Sequence, residues 1–216
     1  MTECANDFLS ELVNKNINLN LSSCKGKEEN TMTIIAIDAG HGGKDCGAIH
    51  CGVLESEVSL NIAYHMHFYL QLAGCKTLLI RDSDIFVSLP DRVRIATQQK
   101  ADLFITVHCN ANANPIYHGM EVYTYTHPSY EATELAKCID RLMRLFFTDH
   151  RQRGIKTSEF YLLKKTKCPA VFVETEFLSN YKGRQFLKKV ENQRALGYCL
   201  SEGVLRYLRN KAFLNS

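Results

Sequence analysis

Tryptophan is absent from the 216 residues. That removes one common stacking platform for sugars, although ten tyrosines remain. No apolar run approaches the roughly 18 residues needed to span a bilayer, so no transmembrane segment is expected. The opening MTECANDFLSELVNKN carries acidic residues and no long apolar stretch, and does not read as a secretory signal. Neither GxxxxGK followed by Ser or Thr nor GxGxxG leading into a helix occurs, so the Gly-rich loop does not match a phosphate cradle. HExxH is missing too, which sets aside the helix-based zinc proteases. Nine cysteines are present, at 4, 24, 46, 51, 75, 109, 138, 168 and 199, and none forms a CxxC pair. An odd, scattered set reads as small buried hydrophobes made in a reducing compartment rather than as a disulfide framework. The formal charge is only +3. It leans mildly toward an anionic partner, and without a basic block or arginine-rich arm no nucleic-acid partner is expected.

What is there reads as one α/β domain with a mainly parallel twisted sheet and helices on both faces. The length suits a single domain with a sizeable core. Thr33–Asp38, Thr77–Ile80, Leu103–Val107 and Ala170–Val173 are predicted strands, rich in β-branched and apolar residues. Met120–Tyr125 alternates and is placed at a sheet edge. Phe160–Leu163 is read as a further short strand. Helices are predicted over Glu57–Ala73, from Pro90 to about Gln98, over Ser129–Phe147, and over Asn192–Leu208. Residues 1–31 are polar and form an N-terminal extension to a domain of residues 32–216.

In open α/β sheets, sites gather at the carboxyl ends of the strands. His41 follows the first strand, His108 follows LFITV, and Glu174 follows AVFV. Glu55 closes the Gly-rich loop AGHGGKDCGAIHCG. Each has a plain reading alone: either His as a hydrogen-bonded loop residue, Glu55 as a helix N-terminal charge. Glu174 is odder, because a carboxylate after VFV sits near the core and needs a partner. Together, two His and two Glu on one rim offer three N/O ligands for a catalytic metal and a carboxylate left over as general base.

The stretch DAGHGGKDCGAIHCGVLESEVSLNIA resembles the opening motif of the amidase-3 family, the zinc N-acetylmuramoyl-L-alanine amidases. The resemblance continues through LLIRDSDIFVSLPDRVRIATQQKADLFITVHCNAN, GMEVYTY, RGIKTSEFYLLKKTKCPAVFVETEFLSN and the last helix, from Thr33 to about Leu208. It implies one Zn2+ on His41, Glu55 and His108, and Glu174 as the catalytic glutamate. It implies an enzyme acting on peptidoglycan or its fragments, in wall remodelling, cell separation or lysis. The site of action is then the periplasm or the exterior, and the export route stays open. The alternatives are a zinc peptidase or carboxypeptidase on the stem peptide, and an inactive wall-binding module.

Three departures from the family pattern bear on the site. Glu176 stands where the family usually has Gly, and is expected to point to solvent. Cys46, Cys51 and Cys109 flank the metal loops. Neither thiolate ligation nor a Cys46–Cys51 bridge is expected, since Cys109 should point away from His108 on an extended backbone. Some family members insert a helix that blocks the zinc. Here one amphipathic helix uses most of Thr126–Gln152, so an unblocked site is expected, and a protein activator is not indicated.

Overall fold

The computed structural model describes residues 33–214; the 1–31 extension lies outside them. The strands are β1 (Ile34–Ala39), β2 (Ile49–His50), β3 (Val53–Leu54), β4 (Lys76–Leu79), β5 (Leu103–Asn110), β6 (Met120–Tyr125), β7 (Gln152–Ser158) and β8 (Ala170–Phe177). The helices are α1 (Glu55–Leu72), α2 (Leu89–Gln98), α3 (Tyr130–Phe146), α4 (Tyr161–Lys165), α5 (Tyr181–Leu187) and α6 (Val190–Leu214).

Six strands form one sheet in the order β4-β1-β5-β8-β6-β7, and β2 and β3 form a small hairpin. All neighbouring pairs of the large sheet are parallel except β6 with β8. The central strands are buried on both faces, which is why they read as continuous apolar runs. Their alternation divides the core. Ile35, Ile37, Ile105, Val107, Val171 and Val173 pack toward α1, α3 and α6. Ala36, Phe104, Ala170 and Phe172 pack toward α2 and α4.

The helices start where local chemistry stops the preceding loop. Ser88 caps α2 and Ser129 caps α3, each accepting a backbone N–H of the first turn. Such a cap contributes about 1 kcal/mol. No described helix is long and apolar enough to cross a membrane.

Two element assignments need correction. Phe160–Leu163 is not a strand; Tyr161–Lys165 is a helical turn that buries both Leu162 and Leu163. Two consecutive buried leucines fit neither period, and a run that short cannot decide. Met120–Tyr125 is not the edge: β7 lies outside it, and its largely polar sequence gave no strand signal.

Candidate metal centre

Alternation sends His108 and Glu174 to the α2/α4 face of the sheet, at the carboxyl ends of adjacent strands, where they are Cα partners. His41 and Glu55 arrive from the loop between β1 and α1. Glu55 Oε1 lies 3.1 Å from His41 Nε2 and 2.8 Å from His108 Nδ1. The three residues can hold a metal ion, with one donor atom of each within 4.8 Å of the others. The backbone N–H of Cys109 donates to Glu55 Oε1, and that of Ala48 to Oε2.

Burial alone would raise the Glu55 pKa, but hydrogen bonds from His108 and His41, and their charges, hold its carboxyl far below the usual range. Burial pulls His41 downward, yet Glu55 and Asp45 outweigh it and leave the imidazole above its ordinary value. Asp45 Oδ2 sits 2.9 Å from His41 Nδ1. A carboxylate on the far ring nitrogen of a ligating histidine fixes its orientation and raises its basicity.

Glu174 lines the same cleft, of about 360 Å³, together with Phe160, Phe172 and Leu89. Its Oε2 is buried with no hydrogen-bond partner. Burial, then the negative charges of Glu55 and Glu121, push its pKa well above the usual carboxylate value. A buried oxygen without a partner is costly, and one facing a cleft is a place to look for chemistry.

Two arginines that sequence reasoning did not single out hold the loop in place. Arg81 is 1% exposed and donates to the carbonyls of Ala39, Gly40 and Ser56. Arg92, 3% exposed, donates to the carbonyls of Ala39, His41 and Val87 and to Asp38 Oδ1. Between them they satisfy the carbonyls of three consecutive residues leading into His41. His41 itself has φ of 59°, a left-handed conformation that a non-glycine residue adopts only under restraint.

Close packing explains two of the loop glycines. A Cβ on Gly40 would lie 2.3 Å from a His108 ring atom. One on Gly47, where φ is +65°, would lie 2.6 Å from both Glu55 Oε2 and the His41 ring. Gly40→Ala is therefore expected to weaken metal affinity tenfold or more, the roughly 10- to 100-fold range seen when ligand support is lost. Competition with a chromogenic chelator measures it; unchanged affinity would mean that the ring moves aside freely.

The expectation that Glu176 points to solvent is wrong. It is 1% exposed, pairs with His150 Nδ1 at 3.1 Å, and accepts the backbone N–H of Gly119. A register shift in the β5–β8 pairing near Thr175 takes it out of strict alternation and away from the cleft. Cys109 turns into the opposite core, with burial raising its thiol pKa, and Cys46, Cys51 and Cys109 are free thiols. Helix α3 packs among α6, β6 and β7 on the face away from the cleft.

Comparison with known proteins extends this picture. The family model described as N-acetylmuramoyl-L-alanine amidase matches residues 35–206. The N-acetylmuramoyl-L-alanine amidase LytC of Bacillus subtilis is 36% identical over 177 residues, 81% of this chain and 35% of that one. The chain thus spans about a third of that relative's length. The solved N-acetylmuramoyl-L-alanine amidase AmiC2 of Nostoc punctiforme superposes with a TM-score of 0.79 at 32% identity, covering 84% of this chain and 99% of that one. A second solved N-acetylmuramoyl-L-alanine amidase, from Clostridium difficile 630, gives 0.81 at 27% identity, over 84% of this chain and 100% of the other.

Proposed function

Because the chain belongs to the N-acetylmuramoyl-L-alanine amidase family, we propose that it hydrolyses the amide joining the lactyl group of N-acetylmuramic acid to the L-alanine of the peptidoglycan stem peptide. The observation that carries this reading is Glu55 Oε1 within 3.1 Å of two imidazole nitrogens, in one cleft with an unpartnered Glu174 oxygen. Two histidines and one carboxylate are a donor set that suits catalytic zinc. His41, Glu55 and His108 are assigned to one Zn2+, and Glu174 to the base. When bound, zinc supplies Lewis acidity, which acidifies water and stabilises negative charge developing on the scissile carbonyl.

The protein's own groups do the rest. Asp45 holds Nδ1 of His41, leaving Nε2 for the metal side. Phe172 stacks on His108 with ring centroids 4.1 Å apart and limits its rotation. Glu174 takes the proton of the attacking water, then delivers it to the departing alanine nitrogen. That delivery matters, because an amide nitrogen leaves poorly unless protonated.

The test is release of stem peptides from purified peptidoglycan, followed by mass spectrometry, with and without a zinc chelator. Peptides beginning with a free L-alanine amine are expected, lost on chelation and restored by zinc. Trimming from the carboxyl end of the stem would make the enzyme a carboxypeptidase instead. No zinc-dependent product at all would overturn the assignment.

A further inference from the structure

The row of residues that carries His108 and Glu174 continues past the cleft. Cα partners run from His108 to Glu174, from Glu174 to Glu121, and from Glu121 to Gly154, crossing β5, β8, β6 and β7. The neighbouring row runs Phe172, Tyr123, Lys156. Strands lie about 4.8 Å apart, so Glu121 stands roughly 10 Å from His108. Between them lies an aromatic floor. Phe172 meets Phe160 at 4.6 Å between centroids, and Tyr123 lies 5.3 Å from Phe160. Lys156 Nζ sits 5.8 Å from the centre of the Tyr123 ring.

Glu121 is no candidate for chemistry, because it is fully engaged. It is 1% exposed and accepts from Arg153 Nε, from the Tyr123 hydroxyl, and from Lys156 Nζ at 3.0 Å. These partners outweigh its burial and keep it ionised. Two cations on one carboxylate leave one positive charge over. An ammonium has three donors, and Glu121 takes one from Lys156. The Lys156 side chain is 36% exposed, against 1% for Glu121. Glu121 therefore anchors an exposed cation at the far end of the aromatic floor.

We propose that Lys156, with Arg153 beside it, forms a carboxylate subsite that reads the free α-carboxylate of the second residue of the stem peptide. The proposal rests on the amidase reading. That second residue is joined through its γ-carboxyl, so its α-carboxylate remains a free anion. With the scissile amide at the metal triad, two stem residues reach about 7 Å beyond the scissile nitrogen. A long, flexible lysine covers the remaining distance. The subsite discriminates between stems bearing this carboxylate and stems in which it is amidated, because amidation removes the charge that Lys156 binds.

The experiment compares two soluble muramoyl-peptides, identical except that the second residue carries a carboxylate or a carboxamide. The zinc-loaded wild type is expected to favour the carboxylate substrate about fivefold or more in kcat/KM, mainly through KM. Lys156→Met is expected to bring that ratio to about one, and Lys156→Arg to restore part of it. Equal use of both substrates by the wild type overturns the subsite and leaves the amidase reading standing. So does a Lys156→Met protein that keeps the wild-type ratio. A wild type that cleaves neither substrate overturns the amidase reading and the subsite together. The wild-type comparison needs no variant to fold.

Discussion

Glu174→Gln is expected to keep its zinc and lose about a thousandfold of turnover, in the middle of the range for a general acid–base group. Glu174 is not one of the three residues whose donor atoms converge, so metal content at saturation should stay at one per chain. The same substitution should stabilise the metal-free protein at neutral pH. Burial and the charges of Glu55 and Glu121 raise the folded-state pKa of Glu174 well above the ordinary 4.5. Below 4.5 the group is protonated in both folded and unfolded chains, and ionisation contributes no difference. As pH rises past 4.5 the unfolded chain releases its proton while the folded chain retains it, so stability falls toward the folded pKa. Glutamine cannot ionise and escapes that loss. In the presence of a chelator, the variant's Tm should exceed the wild type's near pH 7. The gap should close as pH falls through 4.5. Equal Tm values at both pH values would show that Glu174 is not strained by its site, and would argue against its being held there for catalysis at the expense of stability.

The parts of this molecule legible in its sequence are those in which a single strand or loop carries the signal. IIAID, LFITV and AVFV declare buried strands by composition, and His108 and Glu174 stand directly at their ends. The unread parts depend on long-range contacts. β7 is polar on both faces because it is an edge, and no period survives there. Glu176 was misplaced because a register shift cannot be seen in a string of letters. Arg81 and Arg92 act on carbonyls more than 40 residues away, apart from the local Val87 and Ser83 contacts and the bond to Ser56. A clue existed for Arg92. It lies four residues before Ala96, on the one buried stripe of α2, and a charged residue on an apolar stripe needs a buried partner.

That partner makes Arg92→Met the other large effect. Removing the guanidinium leaves Asp38, fully buried, without its ion-pair partner; among the described residues the Thr106 hydroxyl, 2.7 Å away, still donates to it. It also strips a donor from the carbonyls of Ala39 and His41. Breaking one side of a buried ion pair costs about 3–5 kcal/mol, which in a domain of this size lowers Tm by roughly 10 °C or more. Stability alone would not show that the residue positions the metal loop, so metal affinity is the second readout. Arg92→Lys keeps the charge, but one ammonium cannot reach four acceptors spread over β1, the loop after it and the segment before α2. It should recover part of the Tm and still bind zinc more weakly than the wild type, by about tenfold. Adding Asp38→Asn to Arg92→Met removes the unpaired carboxylate, and should return stability without returning affinity. If Arg92→Lys bound zinc as tightly as the wild type, the left-handed turn at His41 would be set by its glycine neighbours and Arg81, and Arg92 would serve only the fold.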